Sequence, residues 1–519
     1  MKNIIVSLFI TGISVLLFTG CEGLLDTEPK NRYTADSFWN TETQADAGLT
    51  ACYQTLRKSG IYGGDATPLW EDTGTPNATD YNSGSGFYRI AEGTHNASNT
   101  GIINDRWRHA YEGIGRCNTY LTNVEDIPMS DSKKEQGKAE AKFLRALYYS
   151  LLINYYGDAP LILEPPAKEH NTLPRDPKDR IFDQIIKDLD EAAAVLGVKP
   201  TQTGRATKGA CYALKARQYL YHNKFAEAAV AAKQVMDLNE YSIFPNYRTL
   251  FMHENENCEE VIFDVQFLYP NYTHTFDLIR RQYATTSPLR DLIDAYLMDD
   301  GSTIHNSSRY DPENYWENRD PRFRMTLAWV GSTYRGFTVT FASTGFTQTG
   351  YTYKKYGIYD EDDENNNVIP SGSDINYMIF RYADILLMYA EAKIESNQID
   401  QSVYDAINEV RGRENVKMPP IQHTNPADAA NYAAMGDQAR LREILRLERR
   451  IEFAGEGHYY MDIIRWRIAE VVMNGPVYRY DNAQYGSVRV FNKDRDYLWP
   501  VPSYDIQENP ALRPNNPGW

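Results

Sequence analysis

Residues 208–238 read KGACYALKARQYLYHNKFAEAAVAAKQVMDL, and their spacing decides the fold class. Ala213, Leu214 and Ala216 recur on one helical face, Asn223-Lys224 makes a turn, and Ala228, Ala229 and Ala232 recur on the next helix. Apolar residues at three- and four-residue intervals mark helices, and small side chains there let two helices approach closely. Outward from this pair the grammar repeats. Helices are expected over 43–59, 105–124, 133–156 and 176–196 on one side, and over 377–397, 402–413 and 440–469 on the other. Pro177 falls in a first turn, and Gly157 and Gly197 follow two helix ends, which is ordinary helix punctuation.

The pairs 208–238 and 377–413 follow the pattern of tetratricopeptide repeats, whose hairpins stack to bury a shared face. Two stretches between the helices differ in composition. Residues 60–100 are rich in Gly, Asn, Thr and Asp, with Trp70, Tyr81, Phe87 and Tyr88 scattered among them. An irregular segment of that length is usually functional when ordered. Residues 245–376 interrupt the helices: 260–267 alternate like a strand, and 336–356 carry the Thr, Phe, Tyr and Gly of short strands and turns. The polar run 360–367 lacks the glycine and final glutamate of a calcium loop, so structural calcium is not indicated and no cofactor is expected. The tail 498–519 holds five prolines and is expected to run extended.

Composition narrows the function. The 519 residues carry 70 Asp plus Glu against 54 Lys plus Arg, a formal charge of −16. That surface repels phosphate backbones, so nucleic acid is not an expected partner. Tyr outnumbers Phe by 39 to 19, and a ring with a hydroxyl suits recognition of polar ring-shaped ligands as well as helix edges. One apolar run, residues 4–18, follows Lys2 and ends at Thr19-Gly20-Cys21. It is shorter than the roughly 20 residues of a membrane span. A charged start, a short apolar core and small residues before a cysteine make a lipoprotein signal peptide, cut before Cys21. The alternative is an ordinary secretory signal that contains Cys21. Cys52, Cys117, Cys211 and Cys258 are widely spaced and are read as free thiols.

An ordered set of motifs runs from this tether to the last residue. It begins at Cys21 with Leu25-Asp26-Thr27-Glu28-Pro29 and Phe38-Trp39. It continues through Asn318-Arg319-Asp320-Pro321-Arg322-Phe323, Phe380-Arg381-Tyr382-Ala383-Asp384 with Glu391, and Asn408-Glu409-Val410-Arg411-Gly412-Arg413. Glu448-Arg449-Arg450-Ile451-Glu452-Phe453-Ala454-Gly455-Glu456-Gly457-His458 follows, then Pro500-Val501-Pro502 and Asn515-Asn516-Pro517-Gly518-Trp519. Together these resemble the SusD/RagB family of Bacteroidota outer-membrane lipoproteins. The resemblance implies a mainly α SusD-like fold, with tetratricopeptide-like helix pairs and an irregular, loop-rich ligand-binding part carrying a few short strands. The expected organisation is a signal peptide at 1–20, a lipid-anchored tether at 21–41, an N-terminal helical region at 42–244, an irregular insertion at 245–376 and a C-terminal helical region with its tail at 377–519.

The resemblance also implies a non-catalytic protein, anchored in the outer membrane through Cys21 and facing the exterior. It would capture an oligosaccharide or polysaccharide and pass it to a SusC-like TonB-dependent transporter. Capture of peptides for the same kind of transporter, as in RagB-like relatives, is one alternative, and a lipid-anchored glycoside hydrolase is another. Sugars are held by aromatic faces packed on pyranose C–H groups, with polar side chains on the hydroxyls. Two loop regions supply such residues: Trp70, Asp72, Tyr81, Tyr88 and Asn96 in the first, and Tyr283, Tyr310 and Trp316 in the second. Trp107, on a helical stripe, is read as structural. Glu448, Arg449, Arg450 and Glu452 have the spacing of intrahelical ion pairs, and Glu452 and Glu456 are read as partners of nearby arginines. No G-x-S-x-G, H-E-x-x-H or G-x-x-x-x-G-K sequence occurs, and the nine histidines show no metal-ligand spacing.

Overall fold

A computed structural model describes residues 38–63, 67–80, 85–98, 100–276, 279–280, 285–357, 372–422, 430–432 and 435–519. Cys21, Tyr81, Tyr283 and the run 360–367 lie outside the described residues. The longer helices are α1 (Glu42–Gln54), α2 (Gly101–Asn123), α3 (Asp131–Tyr156), α4 (Lys178–Val195), α5 (Lys208–Tyr221) and α6 (Phe225–Met236). After the irregular part come α7 (Tyr382–Glu395), α8 (Gln401–Arg411), α9 (Asp437–Glu452) and α10 (Tyr459–Arg465). From α1 to α8 each helix packs on the next, α6 meeting α7 across the long intervening segment, and α9 also lies on α7. Side-chain caps open several of them: Thr41 accepts from Gln44 N–H, Ser130 from Lys133 N–H and Thr207 from Ala210 N–H. The alanines of the 208–238 pair, Ala213, Ala216, Ala228 and Ala232, are all buried at the helix contact.

The strands are short, and among the described residues every sheet has two of them. They are β1 (Ala78–Thr79), β2 (Val261–Val265), β3 (Ser287–Pro288), β4 (Leu327–Trp329), β5 (Thr333–Tyr334), β6 (Phe337–Thr338), β7 (Tyr351–Tyr353), β8 (Tyr377–Arg381), β9 (Gly475–Tyr478) and β10 (Gln484–Arg489). The pairs are β1 with β3, β2 with β8, β4 with β7, β5 with β6 and β9 with β10, all antiparallel.

Three expectations need correction. Residues 377–381 are not the start of a helix: they form β8, whose side chains are all buried against β2. Continuous burial removes the polar face that would separate the two periods. The helix expected over 440–469 breaks after Glu452, because Gly455 (φ +79) and Gly457 (φ +82) take left-handed conformations. A Cβ at Gly457 would stand 2.1 Å from the Pro68 carbonyl oxygen, so this turn must be a glycine. The proline-rich tail also folds locally, into the helix Ser503–Glu508 and the 3-10 turn Pro510–Leu512. The free thiols are as expected, with Cys52, Cys117 and Cys211 buried and Cys258 partly so.

Charge fills the centre of this mainly α structure. Arg381 donates to Glu260, Glu452 and Glu456, each at 2.8 Å. Arg413 reaches Glu260 at 2.6 Å and Glu452 at 2.9 Å. Arg322 binds Asp320 at 2.8 Å and Glu452 at 2.9 Å, and it shares Glu448 with Arg411. Lys355 donates to Glu456 at 2.6 Å. Five cations thus face five carboxylates, every residue 4 % exposed or less. Beside them a second group sets Arg217, Arg449 and Arg465 against Asp384, Asp462 and Glu391. Burial alone would raise the Glu452 carboxyl, but Arg413, Arg381 and Arg322 outweigh it and hold the group well below the usual carboxylate range. Burial pulls Lys355 down to about 8, against the attraction of Glu456. These glutamates and arginines pair across the fold, where the sequence suggested pairs one helical turn apart.

Removing one member of such a network leaves its partners charged and buried. Glu452→Ala is expected to cost about 3–5 kcal/mol, read as a lowered urea midpoint. Gly457→Ala, which adds strain and a backbone clash, should cost about 2 kcal/mol or more and lower the same midpoint.

Candidate functional site

The two loop regions singled out in the sequence meet in space. β1 pairs with β3 in the register Ala78 to Pro288 and Thr79 to Ser287, and Leu289 N–H extends the ladder to the Asn77 carbonyl at 2.9 Å. The short helix Arg290–Ala295 then follows directly. Arg450 ties both strands together, donating to the Asn77 side chain at 2.8 Å and pairing with Asp291. From the other side the Arg489 guanidinium donates to the carbonyls of Thr75 and Ala78. Burial lowers this arginine to about 10, with Asp291 and Glu92 acting against that shift.

The start of the first region lies inside the protein. Trp70 is 4 % exposed, and its indole N–H finds no hydrogen-bond partner among the described residues. Glu71 accepts from Arg106 and from the Tyr155 hydroxyl, both at 2.7 Å. Asp72 is fully buried, accepting from Gly455 N–H at 2.7 Å and the Tyr353 hydroxyl at 3.1 Å. Trp70 and Asp72, singled out in the sequence as loop residues for a ligand, are thus interior, and Asp72 anchors the loop to β7 and to the 455–457 turn. Short helices, Thr67–Trp70 and the 3-10 segment Glu71–Gly74, replace the irregular chain that the composition suggested. Tyr88, in the short helix Phe87–Ala91, stays half-exposed with its hydroxyl bonded to Glu92. Asn96 accepts from Ser98 N–H at 2.9 Å and shapes the turn before α2. Trp107 is buried at 3 % exposure, as expected of a helical stripe.

The second region presents the better ring. Trp316 is half-buried and stacks on Trp329 of β4, with ring centroids 6.1 Å apart and planes at 28°. Tyr315 meets its edge at 5.0 Å, and Arg290 lies over Tyr315 at 4.6 Å while donating to the Tyr310 hydroxyl at 2.9 Å. Arg319 holds this corner rigid from beneath, donating to the carbonyls of Tyr315 at 2.7 Å, Ile293 at 2.6 Å and Tyr296 at 2.5 Å. Both arginines of the Arg-Asp-Pro-Arg segment are buried. Sequence reasoning missed Trp329, which sits in a strand, and Arg290, Arg450 and Arg489, whose role depends on pairings that no local pattern records.

Chemically the surface offers ring faces, an amide and hydroxyls. The carboxylates Glu452 and Glu456 are locked in the buried network, and among the described residues no group of three His, Cys, Asp or Glu could hold a metal ion. Because burial lifts Asp72 from 3.8 to about 6, the unfolded chain releases this proton first as pH rises. Stability is then lost between pH 4 and 6, by on the order of 3 kcal/mol. Asp72→Asn should shrink the fall in urea midpoint between pH 4.5 and 7 relative to the parent chain.

Comparison with known proteins places the fold. Residues 261–519 match the SusD family, and residues 24–220 match a family described as starch-binding and associating with the outer membrane. A SusD-like protein of Formosa agariphila, P25, is 26% identical over 98% of this chain and 97% of its own length. The starch-binding protein SusD of Bacteroides thetaiotaomicron is 32% identical over 29% of this chain and 28% of its own. A SusD-like carbohydrate binding protein of Bacteroides fragilis, known by crystal structure, superimposes with a TM-score of 0.82 at 28% identity, covering 92% of this chain and 100% of that one.

Proposed function

From a chain that belongs to the SusD family, we propose a non-catalytic glycan receptor of the outer membrane, acting as the lid of a SusC-like TonB-dependent transporter. The observation that carries this reading is the Trp316–Trp329 stack, held by Arg319 and Arg290 on the loop that β1 and β3 bring beside the first region. One ring supports the other, so the outer ring keeps its orientation without a ligand. A preformed platform of this kind loses little conformational freedom when a pyranose packs on it. Tyr310 adds a hydroxyl at its margin, and Tyr81, Tyr88 and Tyr283 belong to the same two sequence regions. In this reading Cys21 carries the lipid anchor, the stacked helices α1 to α8 face the transporter, and bound sugar passes between the two proteins without chemical change.

Native affinity electrophoresis of the full chain in detergent, through gels containing plant, fungal and host polysaccharides, tests the reading. Retardation by at least one glycan is expected. Trp316→Ala should weaken it by about 1–3 kcal/mol with unchanged helical circular dichroism. Retardation by no glycan, with peptides bound instead, would replace the reading with peptide capture.

A further inference from the structure

The charge around the aromatic platform bears on which glycans fit it. The loop 299–317 runs up to and beyond Trp316, and it carries Asp299, Asp300, Asp311, Glu313 and Glu317 against a single Lys or Arg, Arg309. Arg309 is already taken, since it pairs with both Asp299 and Asp300. The neighbouring cations are engaged too: Arg290 binds Asp294 at 2.8 Å, and Arg450 binds Asp291. Arg319 spends its donors on buried backbone carbonyls. Arg324 is exposed and lies 5.8 Å from the Trp329 ring centroid, one cation to be set against the exposed carboxylates of the loop. Asp311, Glu313 and Glu317, all exposed, have no cation within ion-pair distance among the described residues. A carboxylate or sulfate docked at Trp316 would therefore approach, among the described residues, more exposed negative than positive charge within about one Debye length.

We infer that this site selects uncharged glycan chains and turns away those bearing uronate or sulfate groups. The inference rests on the glycan-receptor reading above and adds the class of ligand. Hydroxyls suit this surface, because carboxylates and amide oxygens accept hydrogen bonds from them at no cost in like charge. Repulsion of this kind acts through solvent and is screened by salt, which gives it a signature that shape exclusion lacks.

The test takes whichever neutral polysaccharide retards the full chain and compares it with two derivatives of the same backbone, one hydroxyethylated and one carboxymethylated to equal extent. Native uronans and sulfated galactans join the panel, and EDTA is present throughout. At low salt the carboxymethyl form should bind about 3–10-fold more weakly than the hydroxyethyl form, and the gap should close toward ~1 M salt. The double substitution Glu313→Gln, Glu317→Gln should narrow the low-salt gap. Equal binding of the two derivatives, a gap that ignores salt, or stronger retardation by a native acidic glycan would each overturn the inference while leaving a glycan receptor in place. No retardation by any polysaccharide would remove the receptor reading and this inference together.

Discussion

Everything else in the molecule is arranged around five buried cations and five buried carboxylates that cancel one another. An isolated charge in such an interior is costly, and a pair recovers that cost only with good geometry and satisfied hydrogen bonds. Here the geometry is shared. Arg381 alone serves three glutamates, and Glu452 receives Arg322, Arg381 and Arg413. An apolar core of equal size would tolerate many alternative packings. A network of this kind is satisfied by one, because each guanidinium fork fixes the direction as well as the distance of its neighbours. The members come from the residue before β2, the 320–322 turn, the segment after β7, β8, and α8 and α9 with the turns that follow them, so the network dictates how the irregular middle of the chain seats on its helices.

That seating is what makes a ligand surface out of loops. The 455–457 turn follows immediately from Glu452 and accommodates the Pro68 carbonyl, while Gly455 N–H holds Asp72. Asp72 in turn accepts from Tyr353 at the end of β7, whose other end pairs with Trp329. A path of short chain segments and hydrogen bonds therefore runs from the ion network to the backbone of Trp329, on whose ring Trp316 stacks. Rigidity at the platform is borrowed from the centre, and the loop itself supplies only the exposed side chains.

Periodicity revealed most of the helices, because a helix on the surface of a body alternates its faces and leaves that alternation in the residue order. It failed at 377–381, where β8 is buried on both faces and the alternation is absent. The helix break at residues 455–457 was visible as two glycines and was passed over because the surrounding charges looked helical. The site was legible by region and less so by residue. Trp316 lies half-buried on its loop, whereas Trp70 and Asp72 are interior, since a polar stretch such as Glu71-Asp72 disguises a segment in which the Asp72 partners Tyr353 and Gly455 lie 281 and 383 positions away. Long-range pairing leaves no local trace, and the arginines that build this site depend on it.

The network also has a consequence in time. Glu260 is made early, yet its partners Arg381 and Arg413 follow more than a hundred residues later, and Glu456 comes near the end. A ribosome or a secretion channel delivering the chain from its N-terminus releases the acid long before the base. Until the last glutamates emerge, the middle of the chain has charges with nowhere to hide, and it stays open. The helices at the front have local contacts and need not wait. Completion of the centre is thereby a signal that the chain through Glu456 has arrived, written in the order of its charges.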